Sequence, residues 1–362
     1  MLRGIRFLTF LTALSAVAPA TAQRRYNIVD LGDLQGTGSS GSAVNALGHV
    51  TGSVMVYETA EKAWYNHAFL YNGQIMTDIG TLALGAVNSS TGISINIKGQ
   101  IAGSSVGSSP GAESAQHAFL YTPGEKLIDL GALLKSSATS TATGINATGE
   151  VVGYSFDGST YNSWWYNGAM HQLTGADKIG MNQAVSINDN GVILLHIWPN
   201  AGGSACYLSS NSVLTRLPVS GTCVPAALTN GGTVTGDVYD ANYAHAFLYR
   251  PGASKLIDLG TLAPGAATAQ SHGYGVSESG TVVGTSLAPD GSNHAFLNTN
   301  GEMIDLNKVL LSGSVWATLV SATGINAAGQ ITGAGWIHTK SGEGACVPGG
   351  DCAMHAFRLD PR

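Results

Sequence analysis

Charge is scarce in this chain. Asp, Glu, Lys and Arg make up only 10% of its 362 residues, 22 acidic against 16 basic. Arg24-Arg25 is the largest basic cluster, so the basic stripe that nucleic-acid binding requires is missing. Long apolar runs are also missing. The one candidate, residues 7–18, follows Arg3 and Arg6 and precedes the small-residue motif Ala20-Thr21-Ala22. It falls short of the roughly 20 residues that cross a membrane, so the pattern predicts a secretory signal over 1–22, cleaved before Gln23. An uncleaved anchor is the alternative. No cysteine follows the cleavage site to carry a lipid, and the mature chain 23–362 is expected to be secreted or periplasmic, without a transmembrane segment. Cysteine is limited to four residues. In an oxidising compartment these read as disulfides, and the local pairs Cys206 with Cys223 and Cys346 with Cys352 are favoured over a metal site, because no Cys-x-x-Cys spacing occurs.

Capped, amphipathic helical patterns are absent as well. In their place stand 49 glycines among abundant Ser, Thr, Asn, Val and Ile, a composition of short strands and tight turns. The class is all-β. One phrase recurs through it: His-Ala-Phe at His67, His117, His245, His294 and His355. Before each copy comes an Ile-Asn-x-x-Gly-x-Val-x-Gly hairpin, as in residues 145–153, and after it an Asp-Leu-Gly segment. The Asn-x-x-Gly turn, counting frayed forms at Asn230 and Val276, occurs seven times. Degenerate third strands at Ser163-Trp164-Trp165-Tyr166 and Ser204-Ala205-Cys206-Tyr207 bring that strand to seven copies too. Four strands per repeat is the blade of a β-propeller. The last repeat lacks a fourth strand, and Tyr26-Asn27-Ile28-Val29-Asp30-Leu31-Gly32 stands alone at the start. A seven-bladed ring closed by that N-terminal strand accounts for both.

Counting outward from Asn72-Gly73 as a two-residue turn pairs Tyr71 with Gln74 and sets His67 opposite Asp78. The same count sets His117 opposite Asp129, His245 opposite Asp258 and His294 opposite Asp305, while closure brings His355 to Asp30. Where Ser163 replaces His, Gln172 replaces Asp, and in the fourth blade Ser204 replaces His while the fourth strand, Val213-Leu214-Thr215-Arg216-Leu217, has no Asp. These histidines are therefore read as structural partners of carboxylates. Spaced one per blade, they do not converge as metal ligands must.

The repeated phrases resemble the bacterial extracellular HAF repeat family over the whole mature chain, weakly between Gly153 and Asn230. The resemblance implies an exported repeat protein and carries no catalytic residue or substrate with it.

Two motifs fail their structural context. Gly36-Thr37-Gly38-Ser39-Ser40-Gly41 spells a dinucleotide fingerprint, but a strand follows it rather than a helix. Gly103-Ser104-Ser105-Val106-Gly107 spells a nucleophile elbow without the strand, turn and helix that motif needs. No cofactor, metal or catalytic residue is assigned. The connections between second and third strands are aromatic: Tyr57, Trp64, Tyr65, Phe156, Tyr161, Trp198, Tyr239, Tyr243 and Trp336, with His338 beside the last. Rings with polar tips suit wet, amphipathic ligands. The expectation is a monomeric, non-catalytic interaction or scaffold module that recognises protein or glycan on this face. The alternative is a propeller-type hydrolase or lyase acting on envelope or extracellular polysaccharide through Asp157, Asp237 or Asp240, whose carboxyls would have to face one another.

Overall fold

The computed structural model describes residues 25–34, 38–82, 89–106, 115–133, 138–219, 221–239, 243–266, 268–310, 315–339, 346 and 351–362. The expected leader 1–22 lies outside the described residues. Seven antiparallel sheets of four strands follow one another along residues 39–80, 90–131, 139–172, 180–216, 222–258, 271–305 and 316–361, numbered here blades 1 to 7. Blade 7 takes its fourth strand, Tyr26–Gly32, from the start of the chain. The protein is a seven-bladed β-propeller closed by its N-terminal strand, as the repeat count implies. Among the described residues the helical content is one short α-helix, Ala176–Ile179, and a 3-10 turn, Leu306–Lys308.

Packing explains the repeated phrase. The aromatic residue of each third strand lies opposite a glycine of the second: Phe69 on Gly52, Phe119 on Gly103, Trp164 on Gly153, Phe247 on Gly236, Phe296 on Gly284 and Phe357 on Gly333. All six aromatics are fully buried. A Cβ at Gly52 would stand 2.9 Å from the Phe69 ring and 1.9 Å from the Ser40 carbonyl oxygen, so the missing side chain makes the room the ring fills. In blade 4 a fully buried Leu195 takes the glycine position, and Tyr207 opposite it is only half-buried.

Polar side chains tie one blade to the next. Asn45, Asn96, Asn146, Asn188 and Asn326 each fold their own turn through Oδ1 and donate Nδ2 to a backbone carbonyl of the following blade, at 2.8 to 3.4 Å. Blades 5 and 6 place Thr229 and Ser277 at this position, one residue away from the frayed turns at Asn230 and Val276. There Glu278 accepts the amides of Asn230 and Gly231 and links the two blades.

The strand register differs from the sequence count by two residues. Asn72 closes a four-residue loop through its side chain, so Tyr71 pairs with Met76 and Asp78 lies opposite Phe69, not His67. A slip of two keeps every side chain on its own face, and His67 reaches Asp78 diagonally, Nδ1 to Oδ2 at 2.8 Å. His117 with Asp129, His245 with Asp258, His294 with Asp305 and His355 with Asp30 make the same contact at 2.9 to 3.0 Å. In blade 3 the residue at the His position is Asn162 rather than Ser163, and Gln172 faces Trp164; in blade 4 it is Ala205 rather than Ser204. The Asp residues have a second task. Each carboxylate also accepts, through Oδ1, the amide two residues on, which folds Asp-x-Gly into a turn whose Gly32, Gly80, Gly131 and Gly260 have φ between 69° and 78°.

The closure pair makes ring stability depend on pH. For Asp30 burial acts upward, but hydrogen bonds from His355 and the Gly32 amide hold its carboxyl below the ordinary 3.8. For His355 burial acts downward, yet the hydrogen bond and charge of Asp30 and the charge of Asp33 hold the imidazole above the ordinary 6.5. The Asp contribution is present above 3.8 and lost as pH falls through the depressed folded value; the His contribution is present below 6.5 and lost as pH rises through the raised one. Closure is therefore expected to be strongest between these limits. Thermal melts across pH should show a stability excess over Asp30→Asn in that window that shrinks on both sides, and a pH-independent difference would contradict the assignment.

Candidate functional site

The first strands of all seven blades surround a central cavity of about 380 Å³. Its wall carries a ring of bulged residues, Ser42, Ile93, Thr143, Val185, Ala226, Tyr274 and Thr323, each the extra residue where the first strand slips against the second. Bulges recur in β structure where pairing must bend. Thr143 and Thr323 donate their hydroxyls to the Ala184 and Gly41 carbonyls of the next blade and so tie neighbouring blades together.

The aromatic candidates sit on strand ends rather than in loops. Tyr57 and Trp64 belong to the hairpin Val50–Glu58 and Ala63–Tyr71 of blade 1, with ring centroids 5.1 Å apart; Tyr65 is the next residue of the second strand. Trp336 and His338 end Ile331–His338 of blade 7, Tyr239 ends Val234–Tyr239 of blade 5, and Tyr243 directly precedes Ala244–Tyr249. Among the described residues only blades 3 and 4 pool these rings across a blade boundary. Tyr161 packs on Phe156 at 4.6 Å and Tyr154 at 5.7 Å, and stacks across the blade boundary on Trp198 at 6.0 Å with the planes 28° apart. His196 lies 3.9 Å from Trp198, and burial lowers its pKa to about 4, so this shelf rests on a neutral imidazole. Each ring of the shelf is only half-buried.

The acidic candidates separate. Asp157 folds the turn before the third strand of blade 3, where it accepts from the Ser159 amide and hydroxyl and the Thr160 amide. Asp240 lies outside the described residues. Asp237 is two blades from Asp157, so the two do not form a facing pair. Its partner is one the repeat does not contain. His272, on the first strand of blade 6, holds Nδ1 2.7 Å from Asp237 Oδ2, and the Gly273 amide donates to Oδ1 at 3.0 Å. The hydrogen bond to Asp237 raises the His272 pKa against the opposing effect of burial. Tyr274 stacks beside the imidazole at 6.3 Å and 7°, and burial, then Asp237, keeps its hydroxyl protonated; the same two causes act on Tyr239. At the strand position of Asp237 the other blades have Ser53, Ser104, Tyr154, His196, Thr285 and Ala334. Departure from the repeat was the signal that could have found this pair.

Both disulfides form as expected. Cys206–Cys223 joins the third strand of blade 4 to the first strand of blade 5 and is fully buried, whereas Cys346–Cys352 is half-buried in blade 7. Ser39 begins a strand, so the first glycine motif runs into a strand, and Ser104 and Ser105 of the second lie within the strand Ile101–Val106; Gly36, Thr37 and Gly107 lie outside the described residues. Among the described residues no helix is long and apolar enough to cross a membrane.

A family model described as "Protein of unknown function (DUF3466)" matches residues 37–197, less than half of the chain. No curated protein matches it. Among solved structures, a puromycin-hydrolyzing peptidase of Mycobacterium tuberculosis superposes with a TM-score of 0.52 at 10% identity, over 83% of this chain and 50% of the peptidase. TolB from Acinetobacter baumannii gives 0.43 at 12% identity, over 87% and 81%. A gluconolactonase from Xanthomonas campestris gives 0.41 at 14%, over 95% and 93%. This chain spans half the length of the peptidase, and at these identities the likeness is of fold alone.

Proposed function

We propose that this chain is an exported, non-catalytic binding module that holds a glycan on the aromatic shelf of blades 3 and 4. Two disulfides and an N-terminal segment of signal type support export, and the five His-Ala-Phe copies support kinship with the extracellular HAF repeat family. The observation that carries the binding reading is the stack of Tyr161 on Trp198 across two blades, beside half-exposed Phe156. Flat rings at one face, with hydroxyl and indole tips, match the apolar faces and hydroxyl edges of sugars. The test is retention of the mature protein on envelope and extracellular polysaccharides. Trp198→Ala and Tyr161→Ala are each expected to weaken retention about tenfold or more, the loss of about 1.4 kcal/mol or more of binding energy, with an unchanged melting curve. Wild-type retention by both variants would refute the shelf.

The pairing of Asp237 with His272 favours a second reading, catalysis on the same class of polymer. Asp237 fixes the proton of His272 on Nδ1, which makes Nε2 the nitrogen for proton transfer. Release of sugar fragments by the wild type, stopped by Asp237→Asn, would establish this hydrolase or lyase reading; binding without release would leave the module reading in place.

A further inference from the structure

The structure assigns a latent zinc site to blade 7, made by His338, Cys346 and Cys352 once the Cys346–Cys352 disulfide is reduced. The three ligand atoms already converge. His338 Nδ1 lies 3.8 Å from Cys346 Sγ and 3.7 Å from Cys352 Sγ, and all three lie within 4.8 Å of one another. A tetrahedral zinc with Zn–S of about 2.3 Å and Zn–N of about 2.0 to 2.1 Å has N to S edges of about 3.5 Å and an S to S edge of about 3.8 Å. The nitrogen is thus within a few tenths of an ångström of its place, and reduction frees the sulfurs to part.

Two of the ligands are held by strands. His338 and Cys352 are direct partners in the ladder between the second and third strands of blade 7, which fixes their separation more firmly than a loop would. The other disulfide is strand-held too, but among the described residues no third ligand converges on it. Cys206 and Cys223 are sealed at 0% exposure, and their bond closes a loop of 17 residues against 6 for Cys346–Cys352. The shorter loop constrains the unfolded chain less, and the half-buried sulfurs are open to a reductant. In the step itself a dithiol reductant gives two electrons and two protons to the S–S bond and closes to its own disulfide. Cys346 and Cys352 become thiols, each loses its proton to solvent as zinc binds, and His338 contributes a neutral nitrogen. Three protein ligands leave a fourth position for water. The spacing His338, Cys346, Cys352 matches no common zinc pattern, which is why the sequence did not disclose it.

The experiment uses the full mature protein, oxidised or treated with a mild phosphine reductant, with alkylation mapping to show which disulfide has opened. Zinc is counted after gel filtration, and cobalt(II) reports thiolate ligation through its charge-transfer absorption. Reduced protein is expected to hold about one zinc per chain and to melt higher with zinc than without it; oxidised protein should hold none. His338→Ala should weaken zinc by more than about 100-fold, beyond the loss that follows removal of a partner behind a ligand. Cys206→Ala/Cys223→Ala should retain the site, and Cys346→Ser/Cys352→Ser should lack it. Equal zinc in oxidised and reduced protein, no zinc after reduction, or unchanged affinity in His338→Ala would each overturn the assignment.

Discussion

A chain lacking residues 24–32 should lose its cooperative melting transition, and a peptide of that sequence added in trans should restore it. The segment makes six ladder pairs with the last strand and buries Tyr26 to 1% and Leu31 to 5% exposure. Its Asp30 holds His355 at 2.9 Å, and the adjoining Ser39 receives the Ala356 amide at the same distance. Burial of each large side chain contributes about 1.5 to 3 kcal/mol, and each backbone hydrogen bond about 1. Together these approach the 5 to 15 kcal/mol by which typical domains are stable. Deletion also leaves the Cys352–Pro361 strand as a bare edge, open to pairing with another chain. Circular dichroism with heating checks the expectation, and aggregation should accompany the loss. A melting curve equal to wild type would show that the ring does not depend on its closure strand.

Trp164→Ala should cost about 3 to 5 kcal/mol, and Trp164→Phe less than about 1.5. Trp164 heads the largest fully buried side chains and occupies the position that phenylalanine fills in five other blades. Alanine there leaves a cavity beneath which Gly153 offers no atoms, and the melting temperature should fall by roughly 4 to 7 °C. Phenylalanine restores the ring of the repeat and removes the indole Nε1, which is buried with no hydrogen-bond partner among the described residues. Gly153→Ala should be harmful for the converse reason, since its Cβ would meet the Thr141 carbonyl at 2.1 Å and the indole at 2.5 Å. Equal stability for the alanine and phenylalanine variants would refute the packing account.

Much of this molecule was legible in its residues because a repeat reports local structure many times over. Seven Asn-x-x-Gly turns, frayed forms included, gave the blades, the orphan strand Tyr26–Gly32 gave the closure, and the loss of His and Asp together in blades 3 and 4 marked them as partners. The contact from His67 to Asp78 survived an error of two in register because strand faces repeat with that period. The errors arose where local geometry departs from a simple count: the side chain of Asn72 lengthened a turn, and Asn162 and Ala205 took places assigned to Ser163 and Ser204.

Contacts between blades were decided by tertiary structure. The Asn belt, the bulge ring, the Tyr161–Trp198 shelf and the Asp237–His272 pair all join residues of different blades or arise where strands slip. Pairing within a blade follows from turn length and alternation, which adjacent residues encode. Which side chains meet across a blade boundary depends on how each twisted sheet is rotated against the next, a quantity set by the packing of the whole ring and by no segment alone.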